Sequence, residues 1–151
     1  MINGQSARYV TAIAPTAIID NTSAVATAID CAGSSYLEIP IQLGATDIAI
    51  TALKLEESDV SGSGYADVPN ATFSAGANVD GVALALPSAT DDGQPHVFQV
   101  NLVGRKRYVR VVATFGDGAA GGFIAATARL SSVSFLSPTS TDRAAGGICR
   151  V

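Results

Sequence analysis

The sequence has no tryptophan, one histidine and two cysteines, and only 6% of its residues are aromatic. His96, Cys31 and Cys149 show no metal-ligand spacing, so a structural zinc site within one chain is not expected. Charge is also scarce: Asp, Glu, Lys and Arg make up 15%, below the roughly one quarter usual for soluble domains. The net charge of -4 argues against nucleic acid as the main partner, because phosphate binding needs an excess of Lys and Arg. No apolar run approaches the ~18 residues of a membrane helix. The best candidate, residues 9–19, is interrupted by Thr11, Pro15 and Thr16. Met1-Ile-Asn-Gly-Gln-Ser lacks a basic segment followed by an apolar block, so the expectation is a chain made and used in the cytoplasm.

What is abundant is small and aliphatic. Apolar residues reach 48% with few rings among them, so the core has to be built from Ala, Val, Ile and Leu. The mean hydropathy of +0.33 is high for a soluble monomer, and partners are expected to cover part of the apolar surface. A chain of 151 residues fits one domain with a core of its own.

Period-two alternation dominates the pattern. Residues 96–103, 105–115 and 123–131 read as three consecutive antiparallel strands, rich in Val, Phe, Tyr and Thr and punctuated by glycine. In the middle one, Val109, Val111, Ala113 and Phe115 share a face, opposite Tyr108, Arg110, Val112 and Thr114. Phe98, Phe115 and Phe123 are assigned to the core. Upstream, residues 7–14 predict an edge or bent strand before Pro15, and residues 17–19 and 23–29 predict two further strands. Residues 35–41 alternate around Pro40, which points to an edge or a bulge. Residues 47–56 carry apolar side chains on both faces, as in a covered central strand or one with a bulge between Ile50 and Leu53. Residues 56–70 read as a long loop, and 72–73 and 82–86 as short apolar elements. Strand-like runs at about ten-residue spacing predict an all-β fold, a two-sheet antiparallel β-sandwich of jelly-roll type with extended terminal arms. The expected layout is an N-terminal arm (1–6), a sandwich domain (7–136) and a C-terminal tail (137–151).

Residues that carry chemistry are few. Arg105, Lys106, Arg107 and Arg110 form the one dense basic patch, suited either to docking on an acidic partner surface or to a solvated strand entrance that deters edge pairing. Asp91-Asp92 and Glu56-Glu57 with Asp59 lack the spacing of a calcium loop. His96 follows a proline in a turn and no Gly-x-Ser-x-Gly elbow is present, so no enzyme is expected. The glycines of residues 116–122 precede no Lys-Ser/Thr and no helix start, which makes them a flexible strand connection. Tyr36, Tyr65 and Tyr108 are candidates for a small glycan-stacking platform. In the tail, Ile148, Cys149 and Val151 are apolar anchors in a polar strip, read either as an arm that docks on a neighbour or as a frayed end. Cys31 and Cys149 are read as small apolar side chains or as a disulfide, with the choice left open. No cofactor and no metal are expected.

Three segments, Ser35-Tyr-Leu-Glu-Ile-Pro-Ile-Gln-Leu-Gly44, residues 47–57 ending in Leu-Lys-Leu-Glu-Glu, and Gly104-Arg-Lys-Arg-Tyr-Val-Arg-Val-Val-Ala-Thr114, resemble the decoration, or cement, proteins of tailed-bacteriophage heads. The resemblance covers about half of the chain and carries no diagnostic signature. It implies a jelly-roll domain on the capsid exterior of the virion, self-associating as a dimer or trimer, with the major capsid protein as partner and no nucleic acid or membrane. The other class considered is a tail-associated receptor- or glycan-binding β-sandwich module.

Overall fold

The computed structural model describes residues 7–74 and 84–131. The expectations for the arm 1–6, for Val82, Val133, Phe135 and Leu136, and for the tail with Ile148, Cys149 and Val151 fall outside those residues. Eight strands follow in order: β1 (Arg8–Ile13), β2 (Ile29–Asp30), β3 (Tyr36–Thr46), β4 (Ile50–Ser58), β5 (Ala66–Thr72), β6 (Pro95–Asn101), β7 (Tyr108–Phe115) and β8 (Gly122–Ser131). Among the described residues there is no helix. The strands form two antiparallel four-stranded sheets, one ordered β1-β8-β3-β6 and the other β2-β7-β4-β5, so the expected all-β sandwich is found. The pairing is nested: β1 lies on β8, β2 on β7, β3 on β6 and β4 on β5.

One continuous core lies between the sheets. The first sheet contributes Leu37, Ile39, Ile41 and Leu43 from β3 with Ile124, Ala126, Ala128 and Leu130 from β8. Leu53 and Leu55 from β4 and Val109, Val111, Ala113 and Phe115 from β7 oppose them. Each set occupies every second position of its strand, which is why a two-residue repeat suffices to bury one face. Small residues such as Ala126 and Ala128 share this aromatic-poor core with the larger Leu and Ile side chains.

The three C-terminal strands are correctly placed along the chain but are not a meander. β6 and β8 belong to one sheet and β7 to the other, and none of the three pairs with another. Their connections are too long for two-residue hairpins and pass from sheet to sheet, across a gap of ~10 Å, through glycines held at positive φ, Gly104 (78°) and Gly121 (72°). Residues 105–107 precede β7 and do not extend its alternation.

Other readings divide in the same way. β1 is an edge strand with a register shift between Thr11 and Ile13, as Pro15 suggested. β4 carries its shift between Ile50 and Ala52, which brings both Ile50 and Leu53 into the core. Residues 17–29 are not two strands: Ile19, Ser23 and Ala26 make isolated bridges as the chain crosses from one sheet to the other, and only Ile29–Asp30 is regular. Residues 56–70 are not one loop, because β4 runs to Ser58 and β5 begins at Ala66. Pro40 lies inside a sheet, between β8 and β6, and not at an edge. Leu102 donates its N–H to Ser35 and Gly93 to Leu43, so odd residues of β3 turn their backbone to β6 and Pro40 turns toward β8. The ladder to β8 is interrupted there, at Ile39 and Pro40, while the ladder to β6 is continuous.

Candidate interaction surface

The basic residues singled out in the sequence meet acids of their own chain. Register sets Glu56 of β4 opposite Arg110 of β7, and Arg110 donates from Nε (2.9 Å) and Nη2 (2.7 Å) to Glu56 Oε2. The same guanidinium covers the ring of Tyr65 at 4.0 Å. Lys54 joins Glu56 at 3.2 Å and also pairs with Asp67 of β5. Arg107 forks onto Asp30 at 3.0 and 2.8 Å, and this bond holds the Asp30 carboxyl below its usual range. Arg105 lies 3.6 Å from Glu57, which also accepts the main-chain N–H of Lys106 at 3.2 Å. Lys106 itself forms no ion pair among the described residues, so three of the four charges proposed for docking are already matched within the molecule.

The tyrosines do not converge. Tyr65 and Tyr108 lie on the outer side of the second sheet, where Arg110 covers one ring and Arg107 approaches the other at 5.1 Å. Tyr36 projects from the first sheet with Glu38, in the phase opposite Leu37 and Ile39, on the far side of the sandwich. The acidic positions serve as loop caps. Asp91 accepts the N–H (2.7 Å) and hydroxyl (2.9 Å) of Ser88, and Asp92 accepts the N–H of Thr46 at 3.0 Å. Among the described residues no three His, Cys, Asp or Glu side chains are grouped to hold a metal ion. The glycine-rich connection 116–121 is pinned rather than free: Asp47 accepts from Ala119 and Ala120 at 2.7 Å, and Asp20 from Gly118 at 2.8 Å.

Two features escaped the sequence reading. Phe73, taken for part of a minor element, is a core residue and meets Phe98 edge-on at 5.0 Å. Phe123, assigned to the core, sits in the outward phase of β8 and is 47% exposed, since Ile124 and its alternates point in. Phe123 adds to an exposed aliphatic set that is mostly on loops: Ile18, Val25, Val60 and Val103. Val25 is 88% and Val103 77% exposed. Cys31 is buried, and burial pushes its thiol up to about 12.

Among the described residues a cleft of about 830 Å³ lies between β5 and β6, an edge strand of each sheet. Phe73, Phe98, Val68, Val100 and Val103 line it, and His96 sits within it. The imidazole meets Phe73 edge-on at 5.5 Å, its buried Nε2 has no hydrogen-bond partner among the described residues, and burial lowers its pKa despite the Asp91 charge nearby. The lining mixes these apolar side chains with Asn70, Gln99, Asn101 and Arg105, and the exposed loop aliphatics can be covered by another protein surface. Comparison with family models, curated proteins and solved structures finds no match for this chain.

Proposed function

We propose that this protein is a structural virion component, a decoration protein that sits on the outer surface of a phage head, contacts the major capsid protein and stabilises the assembled shell. The nested strand pairing of two four-stranded sheets supports reading the sandwich as a jelly roll, because rolling up four antiparallel pairs generates that connectivity. The observation that carries the proposal is the distribution of surface chemistry. Arg105, Arg107 and Arg110 are matched by in-chain carboxylates, whereas Val25, Val103, Ile18 and Val60 stand exposed on loops. Such a molecule adheres through its loop ends, by apolar burial, rather than through a charged face.

A ligand of this kind acts by mass action: binding the assembled lattice better than free subunits shifts the equilibrium toward the lattice, and many copies multiply modest contacts. Dimers or trimers would strengthen this by engaging several subunits at once. The glycan-binding alternative is less well supported, because Arg110 occupies the face of Tyr65 that a sugar would stack on and Tyr36 lies across the sandwich. Co-sedimentation with assembled heads and with unassembled major capsid protein tests the proposal. Retention on heads alone is the expected result; equal or absent binding to both, with a positive glycan array, favours the alternative. Removing residues 137–151, with Ile148 and Val151, is expected to lower head occupancy, and full occupancy by the truncated chain takes the tail out of the contact.

A further inference from the structure

The two sheets turn different chemistry to their outer sides. The second carries Lys54, Glu56, Asp67 and Arg110, bonded to one another. On the first, the outward positions of β3, β6 and β8 hold one acid and one base among the described residues, Glu38 and Arg129, and these pair with each other at 3.3 Å. Both stand toward the Tyr36 end of the sheet, and toward Gly122 the face is uncharged. Covering such a face strips water from no ion.

Within the uncharged part a knob lies beside a hollow. Phe123 projects in the outward phase of β8 and is 47% exposed. Its neighbour on β3 is Gly44, where a Cβ would stand 3.0 Å from that of Phe123, and which has no side chain to lay over the ring. Two positions along β8 the side chain shrinks to Ala125, and there Pro40, Gln42, Pro95 and Thr127 border a shallow hollow of about 230 Å³. The hollow adjoins the place where the β3/β8 ladder is interrupted, at Ile39 and Pro40. Ala125 is ~7 Å from Phe123 along the strand.

A knob and a hollow on one face make that face complementary to itself. A half-turn about an axis lying in the face, across β8 between Phe123 and Ala125, exchanges the two, so the Phe123 of each copy meets the hollow of the other. The pair Glu38 and Arg129, ~20 Å from Phe123 along β8, is left at the margin of the contact, where it keeps its water. The overlap is roughly 20 Å wide across four strands, at the small end for a specific interface, so the association dissolves on dilution.

We propose that the outer face of the first sheet is a self-association surface, on which two copies pack face to face about a two-fold axis with each Phe123 seated in the hollow beside Pro40 and Ala125 of the other. The dimer needs no capsid, and it stands or fails independently of the role proposed above.

Analytical ultracentrifugation of the full chain over a wide range of concentration tests it. The native sequence is expected to pass from monomer to dimer. Phe123→Arg removes the knob and Ala125→Arg fills the hollow, and each is expected to raise the dissociation constant about tenfold or more. Circular dichroism and the urea midpoint report whether each variant folds; the two act on opposite halves of one contact, so either decides. Val103→Arg, at the β5/β6 cleft, is the control and is expected to leave the dimer unchanged. A monomer at every concentration, a trimer, or a dimer that folded Phe123→Arg and Ala125→Arg leave intact overturns the proposal. A dimer weakened by Val103→Arg alone assigns the contact to the cleft and overturns it as well.

Discussion

Arg110 and Glu56 are joined by two hydrogen bonds to one carboxylate oxygen, at 2.9 and 2.7 Å, across the β7/β4 ladder. The pair lies on the outer face of its sheet, with the Arg110 side chain 39% and that of Glu56 14% exposed, so solvent screens it only in part. A double-mutant cycle of Arg110→Ala with Glu56→Ala should give a coupling of about 1 kcal/mol at low salt, shrinking as salt is added. A coupling near zero at low salt would mean that the residues share a register without sharing energy.

Gly122 has no room for a side chain. A Cβ there would stand 2.5 Å from the Phe115 ring and 2.7 Å from Thr46 Oγ1. Phe115 is fully buried and cannot retreat, so Gly122→Ala should cost about 1–3 kcal/mol in chemical denaturation, within the range of overpacked cores. Gly62, with nothing near its Cβ position and no left-handed φ, is the control, and Gly62→Ala should be nearly neutral.

His96 should make stability depend on pH below neutrality. Burial lowers its folded pKa beneath the ordinary 6.5, so between the two values the unfolded chain binds the proton and the folded chain does not. Stability is then complete above about 6.5 and falls as pH drops through the folded value. Urea titrations at several pH values should show this slope, and His96→Phe, which keeps the edge-on contact with Phe73, should flatten it. An identical slope in the variant would place the dependence elsewhere.

The connection 116–121 should loosen in acid. Main-chain donors at Ala120 and Ala119 hold the Asp47 carboxyl below 3.8, so their hydrogen bonds persist above the unfolded pKa and are lost as pH falls through the folded one. Asp47→Ala should raise amide exchange at Ala119 and Ala120 already at neutral pH and leave the β7 core amides unaffected. Equal protection in the variant would show that the loop is held by its glycine geometry alone.

The strands that sequence made legible are those with one wet and one dry side. β3, β7 and β8 announce themselves because Leu37, Ile39 and Ile41, or Val109, Val111 and Ala113, recur at every second position. β5 was invisible because it is a polar edge with Pro69 and Asn70, the latter at φ 62°, and only Val68 reaches the core. Periodicity also says which face is buried but not which strand lies alongside, so the separation of β7 from β6 and β8 was out of reach. The same blindness hid the surface electrostatics. Arg110 reads as a docking charge until register brings Glu56 opposite it. Phe73 and Phe123 exchanged roles for a simpler reason, since aromatic character alone does not reveal phase.

Nesting has a cost in time. Arg8 must wait for Leu130 before the outermost pair can close, and β2 waits almost as long for β7. During synthesis, only the inner pairs β3 with β6 and β4 with β5 can form before the ribosome has released the later strands, so the apolar faces of β3 and β4 stay half-clothed while the chain grows. Folding of this kind begins at the middle of the sequence and finishes at its ends, and a stall before β8 emerges leaves an open sheet that neighbouring nascent chains can complete in error.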